Sequence, residues 1–420
     1  MTIPDAKVTT LDNGIRILSE NIPSLRSVAV GILVGAGPAQ ELETEAGLSH
    51  FAEHMAFKGT ARRSAFQIAY ELDSIGGKLN AYTGKEYTVF YAVVLDKHID
   101  VAVDVLSDIV LNPLLKEEDI NMERGVILEE IRMYEDTPDE KIHDLFAQTI
   151  LHGHPIGRST LGTDRTVRSF NRQSFLDYRQ RLYCPDNLMI SVAGNIDPKL
   201  VQDIVNPKLR SFSGKSDLQR PALPQMEGKI NICNKKTEQV HLCLGTKGLS
   251  QIDEDRFAFS IMDNILGGSM SSRLFQQIRE QRGLAYSVYS SGMPTRDFGL
   301  FYIYAGTAQK NLKQVVELVL EQMSKVKKEG LAAEEISRAK EQLKGLLVLA
   351  LESSSSRMTY MAKSLFYNNR VLPIEDLFEK IDRVTQDDII RVAGDCFQDK
   401  YLTLTVIGDI KDPPIAELRL

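Results

Sequence analysis

The strongest constraint on how this chain folds is that its pattern is written twice. LYCPDNLMISVAGNIDP at 182–198 and CFQDKYLTLTVIGDIKDP at 396–413 share one plan. Each has a polar turn, an alternating β-rich run, then glycine and an acidic or amide residue before isoleucine. Gly194 and Gly408 sit half a chain apart. A looser pair lies at the same offset: the Tyr-rich, β-patterned stretches LNAYTGKEYTVFYAVV at 79–94 and RGLAYSVYSSGMPTRDFGLFYIYAG at 282–306. Self-similarity at a fixed period has to be read before local structure is assigned. Here it predicts two homologous domains, residues 1–212 and 229–420, joined by the polar, Pro-containing linker SGKSDLQRPALPQMEG at 213–228.

Within a half, strand and helix patterns mix. KVTTLDNGIRILSE reads as a hairpin turned at Asn13-Gly14, and SVAVGILVGAG as a buried strand. SAFQIAYELDSIG, VAVDVLSDIVL and EEDINMERGVILEEIRMYED carry helical periodicity, the last ending before Pro138. This mixture predicts an α+β fold, with helices packed on a largely antiparallel sheet in each domain, rather than a doubly wound sheet.

Composition removes some function classes. A net charge of −7 argues against general nucleic-acid binding and leaves basic peptides as attractive partners. Cys184, Cys233, Cys243 and Cys396 form no C-x-x-C pair, so neither a zinc ribbon nor a disulfide framework is expected. No apolar run approaches the roughly 18 residues of a membrane span, and the opening MTIPDAKVTT reads as neither signal nor transit peptide. A bacterial cytoplasm is therefore expected ahead of a mitochondrial matrix.

The chemistry concentrates in GLSHFAEHMAFKGT at 47–60. If this stretch is helical, with Ser49 helping to cap it, His50 and His54 stand one turn apart on one face. That suits two imidazoles about 2.0–2.1 Å from one Zn²⁺. Glu53, near the same face, is placed to accept a proton from water without itself binding the metal. The order H-x-x-E-H is the inverted form of the zinc-peptidase signature. Glu130 is the best candidate for the third ligand. Glu129 lies about 100° away around the same helix, while Glu123, seven residues before Glu130, shares its face and can orient a histidine ligand. His152 and His154, at i, i+2 in a loop, read as structural.

With these stretches IGGKLNAYTGKEYTVFYA, VILEEIRMYEDTPDE and LGGSMSSRLFQQIREQRGLAYSVYS, the chain resembles the insulinase/pitrilysin metallopeptidase family. It is similar in particular to bacterial relatives of the mitochondrial processing peptidase β-subunit, from residue 8 to about 410. The resemblance implies two homologous α+β halves, one Zn²⁺ per chain on His50, His54 and Glu130, Glu53 as general base and Glu123 as its supporting glutamate. It implies a peptide laid along the strand edge at Asn80 and Ala81, and Arg279 and Tyr286 contacting substrate carbonyls. Glu140 and Asp144 match positions that receive an arginine upstream of the cut. Gly267-Gly268 resemble a shortened glycine-rich loop. The resemblance further implies a clam-shell homodimer whose sites are completed in trans, enclosing a chamber that admits short or unfolded peptides. The main alternative is a non-catalytic core or scaffold subunit of the same fold, and a metal- or peptide-binding module without turnover is a third reading. The intact triad and Glu53 favour the zinc endopeptidase.

Overall fold

The computed structural model describes residues 6–410 and 415–420, so the last residues of the second repeat stretch and the first five of the opening lie outside it. It contains two mostly antiparallel sheets. The first runs β1-β2-β6-β3-β5-β4, from β1 (Lys7–Thr10), β2 (Arg16–Asn21), β3 (Ser27–Val34), β4 (Lys78–Thr83), β5 (Thr88–Leu95) and β6 (Leu188–Gly194). The second runs β7-β11-β8-β10-β9, from β7 (Ile230–Asn234), β8 (Val240–Gly248), β9 (Ala285–Pro294), β10 (Gly299–Thr307) and β11 (Thr403–Gly408).

Laid side by side, β2-β6-β3-β5-β4 and β7-β11-β8-β10-β9 are one topology. Each has a single parallel pair, β2 with β6 and β7 with β11, and its other pairs are antiparallel. The two stretches that opened the sequence comparison are β6 and β11, the matching strands of each sheet. The duplication is thus a duplication of fold, and the α+β class holds.

The helices are α1 (Leu48–Ala56), α2 (Ala65–Asp73), α3 (Ile99–Leu111), α4 (Glu117–Glu135), α5 (Pro138–Ile150), α6 (Asp164–Ser169), α7 (Arg172–Leu182) and α8 (Pro198–Leu209), followed by α9 (Arg256–Leu266), α10 (Leu312–Glu329), α11 (Ala333–Ala350), α12 (Ser354–Asn368), α13 (Ile374–Arg383) and α14 (Gln386–Cys396). Sequence rules account for many ends. Ser64 caps α2 reciprocally with Gln67, Pro138 opens α5 at its first turn, and Asn13-Gly14 turns the first hairpin with Gly14 at φ 95°.

By contact the chain clusters into two compact units that trade a segment. One comprises residues 1–132, 159–221 and 348–374; the other 133–158, 222–347 and 375–420. The first unit therefore contains α12 from late in the chain, and the second contains α5 from early in it. These two helices hold equivalent places in their halves.

In the first unit the sheet is covered on both faces. Ile17, Val28, Val30 and Ile32 point into a core with α1, α3, α7 and α8, while the alternate residues Leu18, Ala29 and Leu33 meet Met358, Met361 and Leu365 of α12. Burial on both faces is why β3 reads as an unbroken apolar run instead of an alternating one. An ion pair from Arg357 of α12 to Glu20 of β2 is buried in the same packing. In the second unit α5 packs on β11 and β8, and α9, α10 and α14 build its main core.

Candidate metal centre

The H-x-x-E-H stretch is helical, as its spacing predicts. Gly47 precedes α1 at φ 94°, a left-handed conformation that an L side chain adopts only with strain. Ser49 lies inside the first turn and is not the cap; its hydroxyl donates to the buried Glu41 carboxylate (2.6 Å). α4 brings Glu123 and Glu130 to the same place in the first unit. The His50 and His54 Nε2 atoms are 3.2 Å apart, and Glu130 Oε2 stands 3.8 and 3.9 Å from them. Among the described residues this is the only group of three or more His, Cys, Asp or Glu donors spaced to hold a metal ion, all within 4.8 Å of one another.

The donor set fits a zinc ion. Ligands 2.0–2.1 Å from a tetrahedral ion lie about 3.3 Å from each other, close to the histidine pair and reached by a small movement of the glutamate. The protonation of His50 suits it too. Burial, then the neighbouring His54 charge, drive His50 down to about 3 against the pull of Glu123, so its imidazole is neutral at physiological pH. Burial also opposes charge on His54, but the hydrogen bond and charge of Glu123 outweigh it and raise its pKa. His54 Nδ1 donates to Glu123 Oε1 (2.7 Å), which leaves the Nε2 lone pair turned toward His50. Burial would raise Glu123, but its bonds to His54 and Lys58 hold it below the usual carboxylate range. Glu130 is raised by burial.

Glu53 stands beside the cluster and outside the donor set. Burial raises its pKa, and the Thr83 hydroxyl, which donates to it, works the other way. Thr83 ends β4, the edge strand of the first sheet. Asn80 and Ala81 lie on that edge, where the Ala81 N–H donates to Asn80 Oδ1 (2.8 Å).

The other four candidates belong to the second unit. Glu140 is exposed and Asp144 half-buried on α5, and the Tyr134 hydroxyl bonds the Glu140 carbonyl (3.1 Å) and the Asp144 side chain. Arg279 sits on a π-helical turn, Phe275–Glu280, with its guanidinium 4.8 Å from the Phe275 ring centroid and 4.7 Å from that of the 76 % exposed Tyr286. His154 uses both ring nitrogens within the second unit, on the Ala222 carbonyl and the Ile156 N–H. Sequence reading missed Glu41 and Thr83. The former is one acid in an acidic loop, the latter one hydroxyl in a strand, and neither carries a signal without the fold.

A duplicated α+β chain with an inverted His-x-x-Glu-His helix and a converging glutamate defines a class, the metallopeptidase-type fold. Comparison with known proteins agrees. Residues 16–164 match the family model for insulinase (peptidase family M16), and residues 169–343 match that for the peptidase M16 inactive domain. An uncharacterized zinc protease of Bacillus subtilis is 41% identical over 93% of this chain and 96% of its own length. One from Streptomyces coelicolor is 39% identical over 98% and 91%. A Helicobacter pylori protease crystal structure superposes with a TM-score of 0.89 at 23% identity, covering 97% of this chain and 100% of that one. The chain belongs to the insulinase (M16) peptidase family.

Proposed function

We propose that the protein is a zinc-dependent endopeptidase with one Zn²⁺ per chain on His50, His54 and Glu130. One observation carries the reading. Three donors of the right kind converge, with a fourth side chain, Glu53, held beside them and free of the ligand set. When bound, zinc supplies Lewis acidity that polarises a peptide carbonyl and acidifies water. The protein's residues do the rest. The raised pKa of Glu53 suits it to take a proton from the attacking water and return it to the departing amine. Thr83 fixes the orientation of its carboxylate. Glu123, paired with Lys58, holds the His54 tautomer. The β4 edge at Asn80 and Ala81 offers backbone groups to an extended peptide.

The same proposal extends to the second unit. Arg279 and Tyr286 act as donors to substrate carbonyls, and Glu140 with Asp144 favours an arginine upstream of the cut. Two copies, each carrying a metal cluster and an Arg/Tyr pair, form a homodimer whose chamber limits substrates to short or unfolded peptides, in a bacterial cytoplasm. The zinc-protease names of the bacterial relatives support the zinc reading. The inactive-domain match covers residues 169–343, outside the motif, so it does not favour a scaffold role for the whole chain. Zinc content together with hydrolysis of a fluorogenic peptide tests the reading. The unaltered protein should hold one zinc and cleave; Glu53→Gln should keep the zinc and lose turnover. A zinc-loaded Glu53→Gln protein with normal activity would refute the role of Glu53.

A further inference from the structure

The two histidines are held in different ways. His54 is fixed through its side chain, by the bond from Nδ1 to Glu123. The Nδ1 of His50 is buried and, among the described residues, has no hydrogen-bond partner. With Nδ1 unheld, the direction of the His50 ring rests on its edge-on packing against His54 (ring centroids 4.5 Å apart) and on its backbone, the first turn of α1. That turn has no cap of its own, because Gly47 at the N-cap has no side chain. The first N–H groups of a helix need acceptors, and an anion there also meets the positive end of the helix dipole. The acceptors come from Glu41, a residue outside the helix, whose carboxyl is pushed up to about 7 by burial against the pull of these same bonds. Its Oε2 accepts from the Gly47 N–H (3.0 Å), and its Oε1 from the Ser49 N–H (2.7 Å) and the Ser49 hydroxyl (2.6 Å). The Ser49 hydroxyl, having spent its proton, accepts from the Tyr178 hydroxyl (2.7 Å), which carries the network into the core. Glu41, Ser49 and Tyr178 are all buried.

We propose that Glu41 is the positioning residue for His50, the counterpart of Glu123 for His54. By clamping the N–H groups on either side of Leu48 it sets the start of α1, and with it the direction of His50 Nε2 toward the ion. The inference rests on the reading that His50 is a zinc ligand. It adds that one ligand is aimed through its ring and the other through its helix.

The test measures zinc affinity of the full chain by competition with a chromophoric chelator at fixed pH. Folding is checked by circular dichroism at the same temperature, and cobalt(II) absorption reports the ligand field. Glu41→Gln puts an amide N–H₂ against at least one backbone donor and should weaken zinc binding about tenfold. It should also change the cobalt spectrum, and Glu41→Asp should recover part of the loss. In a His50→Ala background, Glu41→Gln should cost no further zinc affinity, whereas Glu123→Gln should still cost its full amount, since only the latter acts through His54. Zinc affinity within twofold of the unaltered protein in folded Glu41→Gln, even with a lowered melting temperature, would overturn the proposal. So would an equal loss in both backgrounds. If Glu41→Gln fails to fold, Ser49→Ala, which removes one of the three bonds, carries the test: an affinity loss of about threefold is expected and an unchanged affinity overturns it. Failure of the zinc reading itself would show separately, as no zinc in the unaltered protein or undiminished zinc in His50→Ala.

Discussion

Replacing Glu123 by glutamine isolates the contribution of the carboxylate behind His54. The glutamate is buried and is engaged on both oxygens, by His54 Nδ1 at 2.7 Å and by Lys58. A hydrogen bond to a charged acceptor contributes about 1.5–3 kcal/mol and one between neutral groups about 1 kcal/mol. The amide oxygen of glutamine can still accept from Nδ1, so the change removes roughly 1–2 kcal/mol from the interaction that orients His54. Lys58, one third exposed, can turn to solvent and adds little. Because His54 must keep this tautomer to present Nε2, the loss falls on metal affinity, and 1–2 kcal/mol corresponds to roughly a 5- to 30-fold weaker zinc dissociation constant. Glu123→Ala should be worse, since the buried Nδ1–H then has no acceptor. The assay is competition against a chromophoric chelator at pH 7.5, with Glu130→Gln as the direct-ligand control. A folded Glu123→Gln protein whose zinc affinity stays within twofold of the parent would refute the reasoning.

Other outcomes follow from the same geometry. Arg357→Met strands the buried Glu20 carboxylate and should cost about 3 kcal/mol, a drop of roughly 3–6 °C in melting temperature for a chain of this length; Glu20→Gln added to it should restore most of the loss. Burial already raises Glu20 against the pull of Arg357. Because a raised carboxyl favours the protonated folded state, its stabilisation is complete at low pH and lost as pH rises, so the Arg357→Met penalty should be larger at pH 8 than at pH 5; a penalty independent of pH would contradict this. Gly47→Ala should lower the melting temperature, because φ is 94° and an added Cβ would meet the Leu161 carbonyl at 2.6 Å; an unchanged melting curve would count against it. Replacing Glu140 with Gln and Asp144 with Asn should slow cleavage of peptides with an upstream arginine more than of alanine versions, and equal losses would remove the specificity proposal. Mixed dimers of Glu53→Gln with Arg279→Ala/Tyr286→Ala chains should regain activity if sites form in trans, and no recovery in verified mixed dimers would exclude it.

What the sequence determined by itself was whatever repeats with a fixed period. Residues four apart on a helix share a face whatever surrounds them, so His50 with His54, and Glu123 with Glu130 seven apart, were legible as pairs. The strands β6 and β11 announced the duplication because matching burial in two copies of one sheet demands matching patterns. Long-range partners obey no such rule. Nothing local says that Glu41, eight residues before Ser49, closes back on α1, or that Thr83, thirty residues from Glu53, donates to it. Glu41 sits among Glu43, which faces water, and Glu45, which pairs with Arg181, and only the tertiary structure tells the three acids apart. The trade of α5 and α12 was equally invisible, because each helix has an apolar face that either sheet could cover and only the folded chain decides which one does. Period set the pairs of side chains; packing decided what stands behind them, and the aim of each histidine depends on what stands behind it.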